Sequence, residues 1–186
     1  HGQITFNTRA LGLLNEHGIP VHVFGWKDHY RGSYLPKRDH ISGDTVVEQI
    51  RAYDDSTRQL SIAEDIVAAS IHNMRANVRY YNDKRGDFTG ALDRLEQLKD
   101  RVREDSRNSV DELRGIEATA RKAYYRCFDT ILRDPFELTS REYNPPTSEA
   151  NALISFLNGM VYPSRFSAIR QTALESTVGF RPEPGE

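Results

Sequence analysis

The 186-residue sequence holds a single cysteine, Cys127. One cysteine cannot close an internal disulfide, so burial and hydrogen bonding must hold the fold, and a reducing, cytoplasmic setting is expected. No apolar run approaches the roughly 18–20 residues of a membrane span, so no membrane association is expected. The opening His1-Gly2-Gln3 lacks a methionine, a basic segment and an apolar stretch, and so does not read as a secretory leader. An excess of one charge sign is also missing: 25 Lys and Arg stand against 27 Asp and Glu, a net −2. A strongly basic total would by itself suggest nucleic acid; here such a reading has to rest on local patches. Familiar catalytic spacings are absent too. Gly12, Gly18, Gly25 and Gly32 are isolated and form no phosphate loop, and no Gly-x-Ser-x-Gly elbow occurs. Among His1, His17, His22, His29, His40 and His72 no two share the spacing of a zinc-binding helix, so nothing requires a zinc site.

What is present is a hydrophobic content of 38%, enough for a real core under a heavily charged surface. The first forty residues mix strand and helix. Gln3 to Phe6 alternates polar and apolar as a half-buried strand does. Asn7 or Thr8 caps a short helix with Ala10, Leu11, Leu13 and Leu14, and Gly18 sits where a helix-ending glycine belongs. Pro20 blocks helix, Val21 to Phe24 reads as a strand, and Ser33 to Leu35 as another. So few strands need partners, and this sequence offers few.

From about residue 44 the pattern is helical. Thr45 to Tyr53 is a short helix. Ser56 or Thr57 starts a long one to about Tyr81, with a stripe of Leu60, Ala63, Val67, Ile71, Met74, Val78 and Tyr81 at spacings of three and four. After a polar break at Asn82 to Gly86, residues 89 to 104 carry a thin stripe of Leu92, Leu95 and Val102. A further helix spans Val110 to Leu132 and is ended by Asp134-Pro135. Thr147 or Ser148 caps a last helix to about Leu174, with a kink or break near Tyr162 because Pro163 interrupts it. The fold class expected is α+β, mainly α: residues 1–43 are the C-terminal part of a β domain, and residues 44–186 an α-helical, catalytic-type domain. Both ends read as cut, since the sequence opens almost directly into a strand pattern and closes on Pro182-Glu183-Pro184-Gly185-Glu186.

One residue is oddly placed. The stripe of the fifth helix runs through Leu113, Ala120, Tyr124, Cys127 and Ile131, and Glu117 falls on the same line. A carboxylate there is costly unless it is paired or bound to metal. Spacing favours a pair with Arg121 at i+4, and a ligand role is the alternative. Two stretches interleave basic and aromatic residues, as phosphate contact plus base stacking would require. One holds Arg75, Arg79, Lys84 and Arg85 with Tyr80-Tyr81. The other holds Arg114, Arg121, Lys122 and Arg126 with Tyr124-Tyr125. A solvated helix face over core tyrosines accounts for the same pattern.

Four stretches taken in order sharpen the reading. They are Leu14 to Phe24 followed by Tyr30-Arg31-Gly32-Ser33-Tyr34; Asn73-Met74 to Asn82; Leu113-Arg114-Gly115-Ile116-Glu117 with Ala120-Arg121 and Tyr124-Tyr125; and Arg141, Asn144-Pro145-Pro146 and Asn151 to Phe156, leading to Gly179-Phe180 and Glu183 to Glu186. Together they resemble the family of CRISPR-associated protein one, the CRISPR adaptation integrase and endonuclease, over nearly the whole sequence. The resemblance implies an N-terminal β domain and a C-terminal helical domain. It implies a homodimer that assembles with CRISPR-associated protein two, and a role in antiviral defence by spacer acquisition into the repeat array. It implies double-stranded or branched DNA as substrate and Mg²⁺ or Mn²⁺ as cofactor. A hard divalent ion in an oxygen-rich site stabilises charge on a transferring phosphate. Carried over by motif, Glu117 is the catalytic, metal-ligating glutamate; Arg75, Arg79, Arg121 and Lys122, taken from the two basic stretches, are the expected DNA contacts. The family's histidine, between Gly-Phe and Glu-Pro-Gly, is matched here by Pro182, which cannot ligate a metal. The family's aspartate follows beyond Glu186. The resemblance therefore implies that this exact polypeptide has little nuclease or strand-transfer activity. The alternative reading is a non-catalytic family member that only binds DNA or partner subunits.

Overall fold

A computed structural model describes residues 4–25, 30–37, 42–104, 109–142 and 145–180. Expectations that fall on Gln3, His1, His29, His40, Asn144 and Pro182 to Glu186 lie outside these residues. Seven helices and two strands are described, so the fold is α+β and mainly α. In order they are α1 (Thr8–Glu16), β1 (Val21–Phe24), β2 (Tyr30–Tyr34), α2 (Gly43–Asp54), α3 (Ser56–Tyr81), α4 (Thr89–Glu104), α5 (Val110–Arg126), α6 (Phe128–Ile131) and α7 (Glu149–Arg170).

The chain divides into two compact units. One joins His1–Gln49 to Ser155–Thr177; the other joins Ile50–Ile154 to Val178–Glu186. In the first unit, the Asn7 side chain accepts from the Ala10 backbone N–H at 2.9 Å and caps α1. Gly18 closes that helix at φ +64°, a conformation a side chain would strain. Strands β1 and β2 form an antiparallel pair with Val21 opposite Tyr34 and Val23 opposite Gly32. The register slips between Val23 and Phe24, and Gly32 beside the slip takes φ +153°. Residues 4–6 are not a strand: Ile4 is 76% exposed, and the described sheet has only two strands. Alternation marks a surface that a sheet could half-bury, and none of the described strands takes it up. His22 binds the Ser33 hydroxyl through Nδ1 and lies 3.4 Å from Ser167 Oγ through Nε2. The Gln49 amide is clamped on the Glu175 backbone by two hydrogen bonds, of 3.0 and 2.8 Å.

The second unit holds the main core. Helices α3, α4 and α5 pack on one another, and α6 follows against α5. The α3 stripe faces inward as its spacing predicts. Ala63, Val67, Ile71 and Val78 are buried, and Leu60, Met74 and Tyr81 pack around them. Leu95, Leu98 and Val102 of α4 are fully buried; Leu98 extends the expected stripe. The cap of α3 is Asp55, ahead of the expected Ser56 or Thr57, and its carboxylate accepts from the Thr57 and Arg58 N–H groups. Asp83 at φ +64° and Asn82, whose side chain accepts from the Phe88 N–H at 2.8 Å, shape the turn into α4. Ser109 and Glu112 form a reciprocal capping box at the start of α5.

Two helix ends differ from expectation. The helix expected to run from Val110 to Leu132 breaks at Cys127, whose N–H bonds back three residues to Tyr124 O at 3.1 Å. That tightened turn brings Phe128 edge-on to Tyr124, with centroids 4.9 Å apart. The last helix ends at Arg170 rather than Leu174, where Thr172 closes it with a hydroxyl bond to Ile169 O. No break occurs at Pro163; α7 continues through it.

Candidate active site and cationic groove

Glu117 is 3% exposed in the middle of α5, one turn from buried Leu113 and beside buried Ile116 and Ala120. Its Oε1 accepts from Arg121 Nε at 3.1 Å and Nη2 at 2.9 Å. The pair with Arg121 that the spacing favours is present. The Arg121 side chain is 40% exposed while that of Glu117 is 4% exposed. The pair therefore crosses from core to surface. A small crevice of about 10 Å³ adjoins Glu117, lined by Ala63, Val67, Val110, Leu113 and Arg114. That space is of the order of one water, and its walls are mostly apolar.

Beyond Arg121, α5 turns a second face outward. Ala118, Arg121, Lys122, Tyr125 and Arg126 recur at spacings of three and four, and so lie on one side of the helix. With Thr139, Ser140 and Arg141 they line a groove of about 450 Å³. Four of its walls are cations, and no carboxylate lines it among the described residues. Arg121 therefore faces two ways, toward Glu117 and into the groove. Arg141 is fixed from behind by Asn151, which is 2% exposed. Asn151 Oδ1 accepts from Arg141 Nη1 and from the Glu142 N–H, each at 3.0 Å. Its Nδ2 donates to Ser140 O at 2.9 Å and to Ser148 Oγ at 3.3 Å. Burial raises the Tyr124 hydroxyl above its ordinary value, against a weaker opposing bond from Asn77, and raises the Cys127 thiol likewise.

The other predicted contacts lie elsewhere. Arg75 pairs with Glu96 of α4 at 2.8 Å, and Glu96 also binds Lys99. Arg79 is exposed on α3. Near it Lys84 sits 3.5 Å over the ring of Tyr80, which is 62% exposed. Neither Arg75 nor Arg79 lines the groove. Sequence reasoning placed Arg126 in a basic stretch and Arg141 in a motif, yet linked neither to a groove. It missed the role of Asn151 altogether, because the partners at 139–142 meet α5 only through the fold.

The residues present do not by themselves fit a divalent cation. Among the described residues no three His, Cys, Asp or Glu side chains come together, and Glu117 Oε1 is already bonded to Arg121.

Fold and site define a mainly helical α+β domain with a buried carboxylate behind a cationic groove. The family model described as "CRISPR associated protein Cas1" matches residues 1–185, and the chain belongs to that family. The "CRISPR-associated endonuclease Cas1" of Haloferax volcanii is 65% identical over 186 residues, 100% of this chain and 56% of that protein. The structure of a CAS1 protein from Thermotoga maritima superposes with a TM-score of 0.74 at 32% identity, covering 94% of this chain and 54% of that one. A chain of a partial Cas6-RT-Cas1–Cas2 complex shares the fold, with a TM-score of 0.69 at 23% identity over 98% of this chain and 55% of that one. The chain thus spans about half the length of the curated relatives it matches. No described helix is long and apolar enough to cross a membrane.

Proposed function

We propose that this chain is part of a cytoplasmic, metal-dependent DNA endonuclease and integrase of CRISPR adaptation, which inserts spacers into the repeat array. The observation that carries the reading is Glu117: a carboxylate 3% exposed, in the Gly115-Ile116-Glu117 motif, and joined through Arg121 to a cationic groove. In this reading Glu117 is a ligand for Mg²⁺ or Mn²⁺, and the remaining ligands come from outside the described residues. Arg121 and Lys122 contact double-stranded or branched DNA, and Arg79 extends the footprint on α3. Arg75, already neutralised by Glu96, adds little. A homodimer and an assembly with Cas2 belong to the same reading; the fold shared with a chain of a partial Cas6-RT-Cas1–Cas2 complex supports the second.

The test is a graft. This sequence replaces the matching segment of the Haloferax volcanii relative, and Mn²⁺-dependent cleavage of branched DNA is measured. The graft is expected to cleave if Pro182 is restored to histidine, and to lose cleavage again with Glu117→Ala. Full cleavage by the Glu117→Ala graft would overturn the assignment. The 186-residue chain alone is expected to cleave little. A second reading, a member that binds DNA or partners without cutting, is favoured by a groove of four cations with no ligand cluster beside it among the described residues. It predicts that the histidine-restored graft still fails to cut while binding DNA.

A further inference from the structure

Two anions have a claim on Arg121. Its Nε and Nη2 both bond Glu117 Oε1, at 3.1 and 2.9 Å, and the same side chain lines the cationic groove. The two partners sit in different settings. The Glu117 side chain is 4% exposed and that of Arg121 is 40% exposed. A buried carboxylate needs its partner, whereas water screens the guanidinium end and leaves it open to exchange. Both bonds converge on one oxygen. A guanidinium is held best by two parallel bonds to two oxygens of one anion, an arrangement that a phosphodiester offers. Lys122 and Arg126 line the same groove and raise the positive potential there, which draws a polyanion toward Arg121. Arg114 lines the crevice at Glu117, so a cation stays on that side of the acid when Arg121 turns outward.

We propose that Glu117 and a nucleic-acid backbone phosphate compete for Arg121, so that the Glu117–Arg121 pair is a latch that a bound strand opens. The inference rests on the DNA-binding reading above and adds its regulation. In the free chain the latch is shut, and Glu117 neutralises one cation of the groove. A bound phosphate takes Arg121 and uncovers the carboxylate. The exchange needs only new rotamers of one long side chain, and α5 stays as it is.

The experiment measures binding of the 186-residue chain to a labelled branched DNA in EDTA across a salt series, with thermal melting recorded for each variant. Glu117→Gln keeps an oxygen that accepts from Arg121 and removes the charge that holds it. It is expected to lower Kd about fivefold and to steepen the log–log salt slope by up to about one, as the released cation adds its share. In the Arg121→Ala background the same substitution is expected to change neither. An equal gain in both backgrounds would mean plain removal of a negative charge and would overturn the latch. So would an unchanged affinity in a Glu117→Gln chain that melts normally. If either variant does not fold, the unsubstituted chain decides through the Arg121 Nε–H resonance. DNA is expected to shift it, and a resonance that stays in place under saturating DNA would overturn the latch. Any of these failures together with a loss of affinity in Lys122→Ala leaves the DNA reading standing. Absence of salt-dependent binding in the unsubstituted chain would overturn both.

Discussion

At the scale of the residue, Glu117 is held where stability alone would not put it. Exchanging a buried ion pair for well-packed apolar side chains is often neutral or stabilising by about 1–4 kcal/mol, whereas removing one partner is destabilising. Arg121 is 40% exposed, so water softens its loss, and Arg121→Ala is expected to cost about 1–2 kcal/mol. Glu117→Leu removes the desolvated charge and continues the stripe of Leu113 and Ala120. It is expected to leave the melting temperature unchanged or to raise it by a few degrees, while the grafted enzyme carrying it loses cleavage. A clear drop in melting temperature would mean that the carboxylate is needed for the fold. Glu117 was legible in the sequence because a single charged position interrupted a stripe of period 3.6. Asn151 was not, since its partners lie nine to eleven positions before it and meet it only in three dimensions.

At the scale of the element, the helices that pack on one another were the readable part. The α3 stripe needed no knowledge of its partners, because burial on one side of a helix writes itself into spacing. What the spacing could not show was where a helix tightens. The sequence around Cys127 has no glycine or proline to mark the break, and the ring cluster of Tyr124, Tyr125 and Phe128 that accompanies it is a feature of the folded turn. Leu98 illustrates the energetic ranking. Fully buried between helices, it is expected to cost about 2–5 kcal/mol on Leu98→Ala by chemical denaturation. Asp55→Ala, which removes two cap bonds to α3, is expected to cost about 1 kcal/mol. A reversed order would place the weight of this unit in its caps. The Glu96 link between α4 and α3 adds a pH dependence. Its carboxyl is lowered, first by the Lys99 hydrogen bond and then by the charges of Arg75, Lys99 and His72. A lowered carboxyl stabilises above its unfolded value of about 4.3, and that stability is lost as pH falls through the folded value. The pair is on the surface, so the effect is small, about 0.5 kcal/mol. Glu96→Gln is expected to flatten the stability profile below about pH 4.3 and to leave its neutral limb nearly parallel.

At the scale of the whole molecule, charge is balanced in total and segregated in place. A net −2 would repel a polyanion weakly, yet four cations share one groove. Affinity for a polyanion follows the counterions released locally, so the total is a poor guide and the groove a good one. Two lysine or arginine positions of equal formal charge should then behave differently. Lys122 is exposed and lines the groove, while Arg75 is held by Glu96 across two helices. Lys122→Ala is expected to lower the log–log salt slope of DNA binding by about one and to leave melting unchanged. Arg75→Ala is expected to do the reverse: a stability loss of about 0.5 kcal/mol and an unaltered slope. Measured side by side on the same DNA, the two variants separate a footprint from a fold contact. Equal slope changes would extend the DNA path onto α3 toward Arg79, Tyr80 and Lys84, where an exposed ring already carries a cation over its face. No slope change in either would remove the groove from the binding surface, and with it the reason for a cationic wall beside a buried glutamate.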